Sequence, residues 1–297
     1  MGTRYLVGIF GLAATCANAS AIGSAPLCAA DGLALRGMLE AEYAFADKAR
    51  TSVRGAFLDY LAEDSWVLQP RPESGRAVYL AAKDSTAQLQ WYPALAGIAA
   101  SGDLGFSTGP WVYTAANGAK ATGHFLTVWR RDAECRWSVA LDGGVAHAAQ
   151  AIEEPKLAPK QVVYAPAAPP PQRLIAADAP SHAISDFQAA VQSAGFAAAL
   201  RTYGRNGDFR FYTDDRPPMD GVPAASDYLA AHPLTGTFRQ IARGSAADST
   251  LLYSVGEIAG SHDLSTHSYV QIWQYDPKVA NWGLRILLID AIAPAKK

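Results

Sequence analysis

Three residues in the first half of the chain have side chains suited to acid–base chemistry: Asp142, His124 and His147. A carboxyl group or imidazole withdrawn from water has a shifted pKa, and it can then take up and return a proton near neutral pH. Aromatic side chains that could enclose such a group, or a ligand, occur in both halves of the chain. They are Tyr60, Trp66, Trp91, Trp111, Tyr113, Tyr212 and Tyr269.

Each of these residues also has a simpler, structural interpretation. Asp142 stands at the end of a predicted strand, where a solvated carboxylate is ordinary, and this interpretation is favoured. His124 fits a surface position on an alternating strand. The tryptophans fit a hydrophobic core as well as they fit a ligand pocket. The acid–base role is therefore a hypothesis that depends on where the fold places these side chains.

Other kinds of functional site lack their sequence signatures. There is no nucleophile elbow, phosphate-binding loop or dinucleotide fingerprint, so no cofactor is predicted. His262 and His267 are five residues apart but lack the further ligands of a metal site. The net charge of -2 predicts no binding to nucleic acid. No segment after the N-terminus is long and apolar enough to be predicted to span a membrane.

The N-terminus has the features of a secretory signal. Arg4 precedes an apolar run over residues 6–14, and small residues at 17–19 suit a cleavage site, which predicts a signal peptide over 1–21. The mature protein is then expected in the periplasm or outside the cell. Because that environment is oxidising, Cys28 and Cys135 could form a disulfide; two free thiols are the alternative.

A segment rich in proline and alanine, residues 148–182, predicts an extended linker. It separates two parts of similar length, 36–147 and 183–293, which repeat the same order of features. Each part has an aromatic helix, a proline-bearing turn and a short helix, the last holding Tyr-Leu-Ala-Ala at 79–82 or at 228–231.

The second portion of each part changes to the pattern of strands. Residues 103–114 and 248–259 begin after turn-forming residues, and a closing hairpin with a tryptophan on each arm follows in both parts. The predicted strands are 94–101, 103–114, 121–131, 136–142, 238–245, 248–259, 267–276 and 281–289. Helices followed by an antiparallel meander predict two tandem α+β domains, each with helices packed on a curved antiparallel sheet.

The hairpin strands are apolar on both faces. Along 121–131, Phe125 and Trp129 lie on one face, whereas Leu126 and Val128 lie on the other. The strand 267–276 has the same pattern. A sheet covered by helices on one side only should alternate between apolar and polar residues. The two sheets are therefore predicted to pack against each other, as an internal pseudo-dimer.

The run from Ser101 to Trp111 resembles the central strand signature of SnoaL-like domains, a group within the nuclear transport factor 2-like fold. The hairpin with Trp129 and Trp137 is similar to the closing hairpin of the same domains. The second part resembles the family mainly through its likeness to the first. This resemblance implies a cone-shaped α+β fold with an internal pocket. Members include ketosteroid isomerase-like enzymes, polyketide cyclase-like enzymes and binding modules.

Three functions follow as expectations. The first is an exported two-domain binding or interaction protein that holds a small apolar molecule in its pocket. The alternative is an isomerase, dehydratase or cyclase that uses a carboxylate or a histidine of the first domain. The third is a purely structural partner of an envelope assembly. Aligning the repeats places Leu287 where the first part has Asp142, so at most one domain would be catalytic. A closed pocket with a desolvated Asp or His would favour the enzyme.

Overall fold

The computed structural model describes most of both predicted domains. The described residues are 33–148, 179–205, 208–214, 216–260, 265–276 and 280–292. The predicted signal peptide, Cys16, Cys28 and most of the predicted linker lie outside these ranges. Cys135, at the tip of a hairpin, is disulfide-bonded. No helix within the described ranges has the length and apolar character required to cross a bilayer.

The first domain contains three helices and seven strands between residues 33 and 148. Helix α1 buries one apolar stripe, and Ser52 caps α2 by accepting a hydrogen bond from the Gly55 amide at 3.0 Å. The elements are α1 (Leu33–Ala49), α2 (Val53–Tyr60), β1 (Leu61–Leu68), β2 (Pro72–Ser74), α3 (Gly75–Ala81), β3 (Gln88–Trp91), β4 (Leu95–Ile98), β5 (Leu104–Thr114), β6 (Lys120–Arg131) and β7 (Trp137–Ala146).

The second domain has the same course. Helix α4 is interrupted at Gly195, whose φ of 82° breaks it into two helical pieces that correspond to α1 and α2. The elements are α4 (Ala179–Tyr203), β8 (Arg210–Thr213), β9 (Met219–Asp220), α5 (Val222–Ala231), β10 (Thr237–Ser245), β11 (Leu251–Ala259), β12 (Ser265–Asp276) and β13 (Asn281–Ala291).

The two sheets have equivalent strand orders. One is β2-β1-β7-β6-β5-β3, with β4 also paired to β5, and the other is β9-β8-β13-β12-β11-β10. The meander of each sheet is antiparallel, as expected, but β1 pairs parallel to β7 and β8 pairs parallel to β13. The duplicated α+β organisation predicted from the sequence is confirmed, and each sheet is mixed rather than wholly antiparallel.

Some predicted strands differ from the observed ones. The expected strand 94–101 is observed as the shorter strand β4, and Pro93 separates it from β3; proline has no amide hydrogen for a ladder. The five strands β1, β2, β3, β8 and β9 were not predicted. Strand β7 extends four residues beyond the predicted end at 142, which changes the interpretation of Asp142.

The sheets pack face to face, as predicted. One apolar cluster combines residues of both domains, including Leu126 and Val128 of β6 with Val270 and Ile272 of β12. The opposite face of each hairpin strand enters its own domain's core, where Trp129 and Trp273 are fully buried. The apolar pattern on both faces of these strands thus reflects two different cores, one within each domain and one between the domains.

Equivalent tight turns precede β5 and β11. Gly102 has φ 70° and its amide donates to the Ala99 carbonyl, whereas Ser249 has φ 55° and its amide donates to the Ala246 carbonyl. The left-handed region is natural for glycine and strained for serine. Both turns take part in the domain interface, since Ala100 donates to Thr250 and Ala247 donates to Asp103.

Replacing Ser249 by glycine is therefore expected to stabilise the protein. The gain should be about 0.5–1 kcal/mol, because relief of strain exceeds the greater freedom of glycine in the unfolded chain. Urea unfolding at constant pH measures it. The matched substitution Gly102→Ser should lower stability, and equal effects of the two substitutions in the same direction would contradict the assignment.

Candidate functional site

A cavity of about 340 Å³ opens within the first domain, between its helices and the inner face of its sheet. Most of its lining is aromatic or aliphatic. The side chains with polar ends are Asp142, Gln69, Tyr79 and Tyr113, besides the indole N–H groups of the two tryptophans. The lining residues are Phe57, Leu68, Gln69, Tyr79, Leu89, Trp91, Trp111, Tyr113, Phe125, Asp142, Gly143 and Gly144. An apolar cavity with a few polar groups is the usual form of a small-molecule site.

Asp142 lies within strand β7, not at its end. The strand continues to Ala146, and the side chain points to the cavity beside Thr127, whose hydroxyl donates to Oδ2 at 2.8 Å. Burial raises the pKa of Asp142 to about 7; the Thr127 hydrogen bond opposes this rise, and the negative charge of Glu42 adds to it. The interpretation as a solvated strand end is wrong, because the strand is longer than its apolar pattern indicated.

Tyr79 and Gln69 place a hydrogen-bond donor in the same cavity. Gln69 Nε2 donates to the Tyr79 hydroxyl at 3.2 Å, so the hydroxyl accepts there and its own proton can be directed to a ligand. Burial, and the charge of Asp142, raise the pKa of Tyr79, which keeps the phenol protonated. The sequence drew attention to Tyr79 only as part of a repeated helix, and Gln69 gave no signal.

Glu42 of α1 is a second buried carboxylate, next to the cavity rather than within its lining. It accepts hydrogen bonds from Trp91 Nε1 at 2.5 Å, from Trp129 Nε1 at 2.7 Å and from the Ser107 hydroxyl. Burial raises its pKa, and the three donors oppose that rise. Because Trp91 lines the cavity, Glu42 fixes the orientation of part of its lining. A glutamate within an apolar helical stripe was the available signal.

Glu42→Gln should destabilise the protein by about 2 kcal/mol. Glutamine has one acceptor oxygen in place of two, and its amide hydrogens would face the indole donors. Loss of the negative charge should also lower the pKa of Asp142. Urea unfolding and a carboxyl NMR titration measure the two effects. Glu40→Gln, at an exposed position of the same helix, is the control; equal behaviour of the two variants would disprove the buried network.

His124 and His147 lie together, but outside the lining of this cavity. His124 Nδ1 is 2.8 Å from His147 Nε2, and the His124 ring is 6.1 Å from that of Tyr212 in the second domain. Burial, together with the nearby charges of His147 and Arg210, lowers the pKa of His124 to about 3, and the charge of Asp220 opposes this fall. The pair therefore belongs to the boundary between the domains, and His124 is more enclosed than a surface strand position would be.

The predicted aromatic residues separate into two groups. Trp91, Trp111 and Tyr113 line the cavity. The other four lie elsewhere: Tyr60 packs on the core of the first domain, Trp66 and Tyr212 pack in the interface, and Tyr269 lies in the core of the second domain. The Thr108 hydroxyl donates a hydrogen bond across the interface to the Tyr212 hydroxyl at 2.8 Å. Aromatic type alone did not distinguish these environments.

The second domain lacks the cavity's carboxyl group. Strand pairing places Asp142 opposite Thr127 and Leu287 opposite Gln271, so Leu287 takes the position of Asp142 and is fully buried. Arg285, two residues earlier, is also buried and forms an ion pair with Asp208. Within the described residues, no group of three His, Cys, Asp or Glu side chains could hold a metal ion.

Comparison with known proteins gives structural matches only. No protein-family model matches the sequence, and no match was found among curated proteins. A nuclear transport factor 2-like protein from Cytophaga hutchinsonii ATCC 33406 is 14% identical, with 39% of this chain and 97% of that chain covered and a TM-score of 0.30. A nuclear transport factor 2-like superfamily protein from Salmonella enterica subsp. enterica serovar Typhimurium str. LT2 is 15% identical, with 41% and 96% covered and a TM-score of 0.33.

Delta 5-3-ketosteroid isomerase from Mycobacterium sp. is also similar to part of the chain. It is 15% identical, with 36% of this chain and 91% of that chain covered and a TM-score of 0.30. In each case the shared part of this chain is about the length of one of its two domains. Each half of the chain has an α+β fold in which helices pack on a mixed sheet, and the two sheets have equivalent strand orders.

Proposed function

We propose that the first domain binds a small, largely apolar carbonyl compound and that Asp142 transfers a proton between two of its carbon atoms. The observation that supports this proposal is the shared position of Asp142 and Tyr79 in one aromatic cavity. One side chain is a base whose pKa of about 7 suits neutral pH, and the other is a neutral donor. A purely binding pocket for an apolar molecule would not require a desolvated carboxyl group.

The reaction follows from these two groups. The Asp142 carboxylate removes a proton from the carbon next to the carbonyl group, and the electron pair of the C–H bond moves toward the carbonyl oxygen. Tyr79 donates a hydrogen bond to the enolate oxygen that forms. In a substrate with a carbon–carbon double bond β,γ to the carbonyl group, the enolate is conjugated. The Asp142 carboxyl group then returns the proton to the γ carbon, and the double bond moves to the α,β position. The substrate is isomerised, no atom is gained or lost, and no cofactor is required.

The aromatic walls set the expected ligand class. Trp91, Trp111 and Phe125 offer flat apolar surfaces, which favours a planar or cyclic ketone over a sugar or a charged metabolite. Excluding water around the enolate also strengthens the hydrogen bond from Tyr79. We further propose that this reaction takes place outside the cytoplasm. The signal-like segment 1–21 supports this, and so does the disulfide at Cys135.

Hydrogen–deuterium exchange of a model ketone tests proton abstraction directly. 2-Tetralone, a compact two-ring ketone, is incubated with the protein in deuterated buffer, and loss of its α-proton signals is followed by NMR. Exchange should be faster than in buffer alone and faster than with the same concentration of urea-unfolded protein. Binding without accelerated exchange, detected by saturation transfer from protein to ligand, would favour the non-catalytic binding function instead.

A further inference from the structure

We propose that the second domain sets the geometry of the first domain's cavity through Glu257, acting as a positioning residue for the turn at residues 69–71. This inference rests on the proposed function only in treating the cavity as the functional site. It does not require proton transfer to occur there. It gives a role to a domain in which a leucine stands in the place of the cavity's carboxylate.

The first observation is that the cavity and the domain interface share Leu68. This residue ends β1, lines the cavity, and belongs to the apolar cluster formed by both domains. It also packs closely on Gly143, the neighbour of Asp142: a Cβ added to that glycine would lie 3.0 Å from Leu68 Cβ. A shift of the interface at Leu68 would therefore reach the cavity wall beside Asp142.

The second observation is an ion pair that joins the next residues to the second domain. Arg71 Nη1 lies 2.8 Å from Glu257 Oε1, and the other oxygen of Glu257 pairs with Arg239 of the second domain. The Glu257 side chain is only 5% exposed, whereas that of Arg71 is 47% exposed. The buried carboxylate of Glu257 is enclosed by the second domain, and it holds the more exposed guanidinium of Arg71 through a charge-assisted hydrogen bond.

The turn at residues 69–71 connects this ion pair to the cavity. The Gln69 amide donates to the Arg71 carbonyl at 3.0 Å, so the turn is closed between its first and last residues. Gln69 Nε2 in turn donates to the Tyr79 hydroxyl. Glu257 thus holds Arg71, Arg71 holds the closed turn, and the turn holds Gln69 against Tyr79. Neither Glu257 nor Arg71 lines the cavity.

Four variants of the full-length protein test this series of contacts. Arg71→Met and Glu257→Gln remove the ion pair, and Arg71→Met leaves the pair between Glu257 and Arg239 in place. Arg71→Lys keeps a cation and should rescue. Asp227→Asn is the control, because it breaks an exposed ion pair with Arg201 elsewhere in the second domain.

Two measurements do not depend on any ligand or turnover. Amide hydrogen exchange followed by mass spectrometry reports on a peptide over residues 66–74, and NMR of labelled tyrosine reports on the Tyr79 ring. In Arg71→Met and Glu257→Gln, exchange in that peptide should rise about tenfold, while the remainder of the first domain stays within about twofold. The Tyr79 signal should shift in both variants, and Arg71→Lys and Asp227→Asn should resemble the wild type.

The inference is overturned by unchanged exchange in the turn of Arg71→Met, or by a loosened turn with an unmoved Tyr79 signal. Exchange that rises equally throughout the first domain would also overturn it, since the ion pair would then have only a general structural role. Failure of 2-tetralone to exchange its α protons would count against the proposed function alone, because these measurements use no ketone.

Discussion

Asp142→Asn is expected to reduce exchange of the ketone's α protons to the buffer rate and, at the same time, to stabilise the fold above pH 7. An amide cannot accept the proton, so a loss of about 10²–10⁴-fold follows from the usual contribution of a positioned base. Asparagine retains an oxygen that can accept the Thr127 hydrogen bond. The cavity should therefore keep its shape while losing its base.

The stability effect has a definite sign. The folded-state pKa of Asp142 is about 7, above the ordinary value of 3.8, so the folded protein favours the protonated form. This contribution is fully present below pH 4 and is lost as pH rises through 7. The Asn variant does not titrate, and its advantage over the wild type should grow across that window. Three pKa units correspond to at most about 4 kcal/mol.

Urea unfolding of both proteins at pH 4 and at pH 8 measures the effect. His124, whose pKa is lowered to about 3, gives the opposite slope because stability is lost as pH falls below its ordinary value of 6.5. The contribution of His124 is the same in the wild type and in Asp142→Asn, so it cancels when their free energies of unfolding are subtracted. Asp84→Asn, at an exposed site, should show no such dependence. An Asn variant that is less stable at pH 8 would mean that the folded protein stabilises the ionised carboxylate.

The sequence predicted the strands of the two meanders well because successive residues lie on opposite faces of a strand, and both faces of the hairpin strands are apolar. Val128 and Trp129 were assigned to opposite faces of one strand, and each is found in the corresponding core. The unpredicted strands β1 and β8 pair with the last strand of their own domain, far along the chain. Pairing of that kind is decided by tertiary contacts that leave little local pattern.

The candidate site was predicted less completely. Asp142 and three aromatic residues were identified by type, but the cavity also depends on Gln69 and Tyr79, which lie in a turn and in a short helix. Their importance comes from one hydrogen bond, which no periodicity can indicate. Glu42 differs, since a charged residue within the buried stripe of α1 could have been recognised as a group that needs buried donors. Tyr212 was wrongly predicted to line a ligand pocket, because aromatic residues are also buried in the domain interface.

A charge placed between the two sheets is expected to destabilise both domains together. Val128 and Ile272 occupy equivalent positions, one residue before the bulge in each hairpin, and each is 1% exposed within the shared cluster. An unpaired carboxylate there has neither water nor a hydrogen-bond donor. Val128→Asp and Ile272→Asp should each therefore lower the free energy of unfolding by about 4 kcal/mol or more.

Because the interface is symmetric, the prediction can be tested in both directions, from each domain to the other. Because the cluster is one core built from both domains, Ile272→Asp should speed amide exchange in β6 of the first domain as well as in β12, and Val128→Asp should do the converse. Thr237→Asp, at an exposed position on the edge strand β10, is the control and should change stability by no more than about 0.5 kcal/mol. Loss of protection confined to the substituted domain would mean that each domain is stable alone. The two sheets would then associate only after each domain had folded independently. A single apolar core shared by both domains would no longer explain why the hairpin strands are apolar on both faces.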